Sequence, residues 1–269
     1  MAKRSSCKTI DGTVALHKLD VEQLSCMQQY AENLLKFLDV LLERTYAESP
    51  KRKQKQSYML NRQGRKTPAL PESLLESAIW TQWNKTAVEQ SGEPFAAGMC
   101  RHVQSYQVPL QASRSDTSWG KVDLVGVTES GLPAILELKG EKSREPPLRI
   151  LVEGLAYAVA IRRAWNEGHL RDEWTEAVMK QSNALAAPLT LLSVPVIGIA
   201  PTEYWRRCIG TPGRRTGGKV PDSAWKAFHQ LCDACAVRGF PIHFLQFSTG
   251  RTVDGLPAVE NIEVVSLPR

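Results

Sequence analysis

Residues 121–141 read KVDLVGVTESGLPAILELKGE, and their alternation leaves this part of the chain few ways to fold. Two apolar segments flank Glu129–Ser130–Gly131, the pattern of a β-hairpin with its turn at the glycine. A period of two sends Glu137 and Lys139 to one face of the second strand and Leu138 to the other. Leu132, Ala134, Ile135, Leu136 and Leu138 mark that strand as core, where a carboxylate and an ammonium have no packing use. Either charge buried alone is costly, so both are expected to be paired or engaged with a ligand. Asp123 stands on the first strand of the same hairpin.

Two carboxylates and a lysine on one hairpin suit metal-assisted hydrolysis of a phosphodiester. Mg²⁺ takes oxygen ligands, commonly one or two carboxylates, and leaves positions for water and phosphate oxygens. Asp123 and Glu137 are the candidate ligands, with the Leu138 carbonyl as a third and Mn²⁺ expected to substitute for Mg²⁺. Lys139 would hold or help deprotonate the attacking water and offset transition-state charge. The competing account is a cross-strand salt bridge on a solvated sheet face, which contributes little and implies no function. The surrounding elements favour the first account.

The sequence predicts a helix over 71–90, with Pro71 at a first helical position and Leu74, Leu75, Ala78, Ile79 and Trp83 on one face. A strand follows at about 100–111, then hairpin strands at 121–128 and 133–139. After Pro146–Pro147 comes an apolar helix over 148–166 and a buried-type strand near 189–200. This order resembles the PD-(D/E)xK nuclease superfamily, whose restriction-endonuclease-like core runs α-β-β-β-α-β. The resemblance implies an α/β fold, a mixed central sheet flanked by helices. Asp123 takes the place of the family's PD-motif aspartate, preceded here by Val122 rather than proline, and Glu137-Leu138-Lys139 that of the E-x-K.

Two further positions follow from the resemblance. Members often carry a glutamate on the first helix that joins the metal site; Glu76 is the best match, ahead of Glu72 and Glu89. Many also carry Gln-x-x-x-Tyr on the helix after the hairpin, where this chain has Glu153-x-x-x-Tyr157. That spacing puts both on one helical face, which Arg149 extends by a turn. The alternative for these residues is an Arg149–Glu153 helix pair with Tyr157 as packing.

Charge divides the chain. Residues 1–66 hold 13 Lys/Arg against 7 Asp/Glu, the whole of the formal +6, while the remainder balances. Within 51–66 there is no acid, and Lys51, Arg52, Lys53, Lys55, Arg62, Arg65 and Lys66 are expected to contact nucleic-acid phosphates, with Tyr58 available for stacking. Before them, 18–48 shows helical periodicity in Leu24, Met27, Leu34, Leu35, Leu38, Leu41 and Leu42. That helix would pack on the core, pair in a homodimer or dock a protein partner. The expected organisation is an N-terminal helical arm and basic linker (1–66), a nuclease-like core (67–200) and an extension of the same domain (201–269). The extension would add two strands (241–248 and 258–266) and a covering helix (222–237) to the central sheet.

A second basic run, 205–220, contains Arg214, Arg215 and Lys219, again expected at a DNA backbone. It spells a P-loop as far as Lys219, but Val220 stands where a hydroxyl is required, and no buried strand leads directly into it, so no nucleotide site is expected. The six cysteines are scattered, as for reduced thiols in a cytosol. His229-x-x-Cys232-x-x-Cys235, with Cys208 and His243 further off, lacks the second close pair of a structural zinc site and reads as helix packing. No apolar run reaches a membrane span and no secretory signal opens the chain, so a cytoplasmic protein is expected. The expected function is a Mg²⁺-dependent nuclease acting on DNA. The alternatives are a non-catalytic nucleic-acid-binding or assembly subunit, and an RNA- or structure-specific endonuclease.

Overall fold

In the computed structural model the described residues are 7–51, 57–58, 60, 71–111, 119–179, 187–209, 220–253 and 256–268. They form an α/β fold built on one six-stranded mixed sheet, with seven α-helices. The strands lie in chain order: β1 (His102–Pro109), β2 (Lys121–Val127), β3 (Pro133–Leu138), β4 (Val196–Pro201), β5 (Ile242–Val253) and β6 (Leu256–Val264). The first three are antiparallel, β3–β4–β5 are parallel, and β6 returns antiparallel.

The β2–β3 turn follows from its residues. Gly131 adopts φ +78°, which a glycine reaches without steric cost, and its N–H donates to the Thr128 carbonyl at 2.9 Å. The Thr128 hydroxyl accepts from Leu132 N–H at 3.0 Å and closes the loop. Parallel pairing of β3 with β4 requires a long crossover, which α4 (Pro147–Asn166) supplies. Its proline sits at N1, where the missing N–H costs nothing.

Two cores sandwich the sheet. On one face α4 packs with α1 (Met27–Glu48) and α7 (Asp222–Val237) over residues such as Val125, Ile135 and Val196. Packing on this core is thus the role that the apolar face of α1 fulfils, with Leu34, Leu38 and Leu41 buried. On the other face α2 (Pro71–Trp83) covers Leu124, Leu136, Leu138 and Ile197. It touches both edge strands, β1 and β6, because the sheet is curled. Gln82 seals the β6 edge, donating to the Pro257 carbonyl and accepting from Val259 N–H, each at 3.1 Å.

The element order over 71–201 is the expected one apart from the short helical turns at His169–Trp174 and Thr175–Met179, with differences of detail here and at the N-terminus. The helix expected over 71–90 is broken at Asn84, whose side chain accepts from Ala87 N–H at 3.1 Å and starts α3 (Lys85–Ser91). A cap of this kind satisfies an orphan donor and competes with helix continuation. Residues 189–195 are irregular, so β4 begins only at Val196. The N-terminal helix starts at Met27 rather than 18. Ahead of it, Cys7 and Cys26 form a disulfide, against the expectation of reduced thiols; Cys100, Cys208, Cys232 and Cys235 are free. No helix among the described residues is long and apolar enough to cross a membrane.

Candidate active site

The register of the hairpin brings the two motif carboxylates together. Leu124 pairs with Leu136, and one step further Asp123 stands opposite Glu137 on the same face. Two residues back, Val125 and Ile135 belong to the core beneath α4, so both carboxylates look toward that helix. On the other side of β2, the pairs Tyr106–Leu124 and Val108–Val122 set Gln107 opposite Asp123. Leu138 meets Asp123 through its N–H, which donates to the Asp123 carboxylate at 2.9 Å.

Helix α4 closes the site from above, and Gly154 lets it approach. A Cβ at that position would lie 2.5 Å from Val196 Cγ1 and 3.7 Å from Glu137 Cβ. The neighbouring Glu153 therefore reaches the end of β3. Lys139 Nζ sits among three carboxylates: Glu153 at 2.7 Å, Glu145 at 3.0 Å and Glu137 at 3.1 Å. Arg149 holds the other Glu153 oxygen at 2.5 Å and donates to the Leu19 carbonyl at 2.7 Å. The expected Arg149–Glu153 pair thus exists, but it also continues into the site. Tyr157, one turn on, points toward Gly120, where a Cβ would be 3.1 Å from its hydroxyl.

From below, α2 contributes Glu76, almost fully buried at 3% exposure, which accepts from Gln107 Nε2 at 2.5 Å. Gln107 has a left-handed backbone, φ +53°, an uncommon conformation for a residue other than glycine. One turn earlier Glu72 accepts from Gly140 N–H at 3.0 Å, beside Lys139.

Protonation follows from burial and crowding. Burial raises the Asp123 carboxyl to about 8, helped by the charge of Glu76. Burial also raises Glu76, to about 7, with its Gln107 hydrogen bond as a partial offset. Glu137 is pushed well up by burial and by Asp123. Glu153, though buried, is held low by Lys139, Glu137 and Arg149. Burial lowers the Lys139 pKa, but its three carboxylates outweigh burial and the group stays an ammonium. Burial, with Glu137, Glu153 and Asp123 nearby, keeps the Tyr157 phenol protonated.

Among the described residues no three Asp, Glu, His or Cys side chains converge in positions ready to hold an ion. The donor chemistry nonetheless fits a hard divalent cation, which needs only one or two carboxylates beside its waters. Glu137 Oε2 is buried with no hydrogen-bond partner, and the carboxyls around it hold protons that a cation would displace. Asp123 and Glu137 are the two that would do so.

All six candidate residues, Asp123, Glu137, Lys139, Glu76, Glu153 and Tyr157, lie around this one site. Sequence reasoning missed Gln107 and Glu145 and ranked Glu72 second. Nothing in the strand SYQVP or the loop KSREP signals a contact that only the fold creates. Of the basic candidates, Lys51 is exposed just past α1, whereas Tyr58, expected to be available for stacking, is buried in the core. Arg52, Lys53, Lys55, Arg62, Arg65, Lys66, Arg214, Arg215 and Lys219 lie outside the described residues, as does the P-loop-like stretch 213–219. His229 binds the Pro268 carbonyl at 2.8 Å, and no zinc cluster forms with Cys232 and Cys235 among the described residues. Compared with known proteins, the chain matches no protein-family model, no curated protein and no solved structure.

Proposed function

We propose that this protein is a divalent-metal-dependent nuclease of the PD-(D/E)xK type with a restriction-endonuclease-like core, acting on DNA. One observation carries the reading: half-buried Asp123 opposite buried Glu137 on adjacent strands, with an unpartnered Glu137 oxygen and Lys139 two residues on. A Mg²⁺ or Mn²⁺ ion held by Asp123 and Glu137 would polarise the phosphate and acidify a water. The chain's own groups do the rest. Lys139, an ammonium, donates to the water or to transition-state oxygens. Of the two roles toward the water expected from the sequence, its raised pKa argues for holding it over deprotonating it. Glu153 aims Lys139 from α4, and Arg149 holds Glu153. Glu76 and Gln107 orient the site from below, and the basic stretches 51–66 and 205–220 supply phosphate contacts.

A second reading has its own support. Lys139 enclosed by three carboxylates is also the arrangement of a buried structural ion network, compatible with a non-catalytic nucleic-acid-binding subunit. The experiment that separates them incubates the protein with linear, circular, single-stranded and branched DNA and with RNA, each with Mg²⁺ or EDTA. Cleavage that requires the metal supports the nuclease. Binding without cleavage of any substrate leaves the structural network, and cleavage of RNA or of branched DNA alone redefines the substrate.

A further inference from the structure

We propose that the cavity bounded by α2, α3 and β1 is a subsite for one unpaired nucleobase of the nucleic-acid substrate. The proposal rests on the phosphodiester reading above and adds which part of the substrate is gripped beside the scissile bond. The cavity measures about 500 Å³, within the about 300–1,000 Å³ of small-molecule sites. Trp80, Thr81, Asn84, Lys85, Thr86 and Gln90 line it on the helical side and Gln104 on the β1 side. None of its described lining residues is acidic, in contrast to the carboxylate-rich site next to it.

Its position follows from helical spacing. Residues four apart on α2 share a face, so Glu72, Glu76 and Trp80 form one stripe, and Asn84 follows just past the end of the helix. Glu72 receives Gly140 N–H, Glu76 receives Gln107, Trp80 donates to the Gln104 carbonyl at 3.3 Å, and Asn84 caps α3. The stripe runs from the end of β3, past the carboxylates, to the cavity wall. Trp80 is one turn, about 5.4 Å along the axis, beyond Glu76. Strand β1 follows the same course, with Gln107 opposite Asp123 and Gln104 three residues back at the cavity. The link between site and cavity is α2 itself: Glu76 borders Asp123, and Trp80 one turn on reaches the cavity, the course along which a bound strand would place a neighbouring base.

The lining suits a base. Trp80 is half-buried, its indole N–H tied to β1 and its ring set against Tyr106 with centroids 5.6 Å apart. A ring fixed this way loses little freedom when a base stacks on it, and every base has a face to offer. Exposed Thr86 and Gln90 bring donors and acceptors to the rim. Lys85, half-buried, brings an ammonium to the same wall. A base engaged here has left its duplex stack, which costs least in single strands and frayed ends.

The test measures binding in EDTA, where cleavage is off. Wild type, Trp80→Leu and Ala87→Leu are titrated with an oligothymidylate of roughly a dozen nucleotides, an abasic strand of equal length, and thymidine 5′-monophosphate. Ala87→Leu fills the cavity from a part-exposed helical position, and it keeps the question answerable if Trp80→Leu fails to fold. Wild type is expected to prefer the base-bearing strand about 10-fold, and both variants to lose that preference while keeping their affinity for the abasic strand. Equal affinity of wild type for the two strands, or an unchanged preference in a folded variant, overturns the proposal. Thymidine monophosphate binding as tightly as the oligonucleotide also overturns it, assigning the cavity to free nucleotides. Mg²⁺-dependent cleavage by wild type is scored separately: a protein that discriminates bases but does not cut keeps the subsite and loses the nuclease.

Discussion

The Leu138 N–H donates to the Asp123 carboxylate at 2.9 Å, so the peptide between Glu137 and Lys139 fixes the carboxylate of the neighbouring strand. One antiparallel register thereby sets the geometry of all three motif residues. Alternation turns Glu137 to the face of α4 and leaves Leu138 in the opposite core. Asp123, standing across from Glu137, is then held at the rim by a main-chain donor that only a proline at position 138 would remove.

Metal binding should release protons. Asp123 and Glu137 have folded pKa values raised above their unfolded ones, Asp123 to about 8, so at pH 7 they retain protons that a cation must displace. Mg²⁺ or Mn²⁺ affinity is expected to rise as pH increases from 6 through about 8, where Asp123 gives up its proton. Without metal, a carboxyl whose pKa is raised on folding lowers stability as pH climbs from its unfolded value, about 4, toward its folded one. Melting in EDTA should therefore fall over that window, and added cation should restore it at the alkaline end. Calorimetry in buffers of different ionisation enthalpy counts the protons; none released would rule the pair out as metal ligands.

Lys139→Ala is expected to abolish cleavage and also to destabilise the fold. Its side chain is 9% exposed and faces three carboxylates, and removing one partner of a buried ion network costs about 3–5 kcal/mol. The loss should be larger at pH 8 than at pH 5, where the abandoned carboxylates take up protons instead. Urea unfolding at both pH values, beside a cleavage assay, gives the two readouts. Full activity in this variant is incompatible with the mechanism, and a pH-independent loss is incompatible with the network.

Glu153 and Tyr157 should separate. Glu153→Gln keeps the shape but gives up two ion pairs, at 2.7 Å to Lys139 and 2.5 Å to Arg149. Turnover is expected to drop about 10-fold or more, with Glu153→Ala lower still because the packing under α4 is lost as well. Tyr157→Phe removes only a hydroxyl and should lower turnover with little change in melting temperature. Unchanged turnover in all three variants would make this helix face a packing surface.

The disulfide is testable by stability alone. Cys7 and Cys26 close a loop of 18 intervening residues, and a crosslink of that length contributes about 3 kcal/mol. Denaturation of wild type with and without a dithiol reductant, and of Cys26→Ser, should show a loss of that order. Leu19, whose carbonyl holds Arg149, lies within the loop, so metal affinity should also weaken on reduction. Identical unfolding curves would mean that the two thiols are not joined in solution.

Much of the fold was legible because it rests on local periodicity. The 121–139 hairpin, the 148–166 helix and the 222–237 helix appear nearly where alternation and 3.6-residue spacing put them. Asn84 escaped notice because a cap competes with helix continuation through one side-chain bond, a signal the apolar pattern does not carry. The disulfide escaped because pairing depends on where the 16–26 turns bring two distant cysteines.

By itself the sequence determined which residues carry unusual chemistry: an aspartate and an E-x-K on strands too apolar to explain them, and a polar stripe on an apolar helix. Only the tertiary structure decided how they combine. The parallel β3–β4 crossover lowers Glu153 onto Lys139 through the gap at Gly154, and the curled sheet brings Glu76 of α2 under Asp123. Contacts of this kind join residues far apart in the chain, and they form because burying two apolar faces of one sheet leaves the helices nowhere else to go.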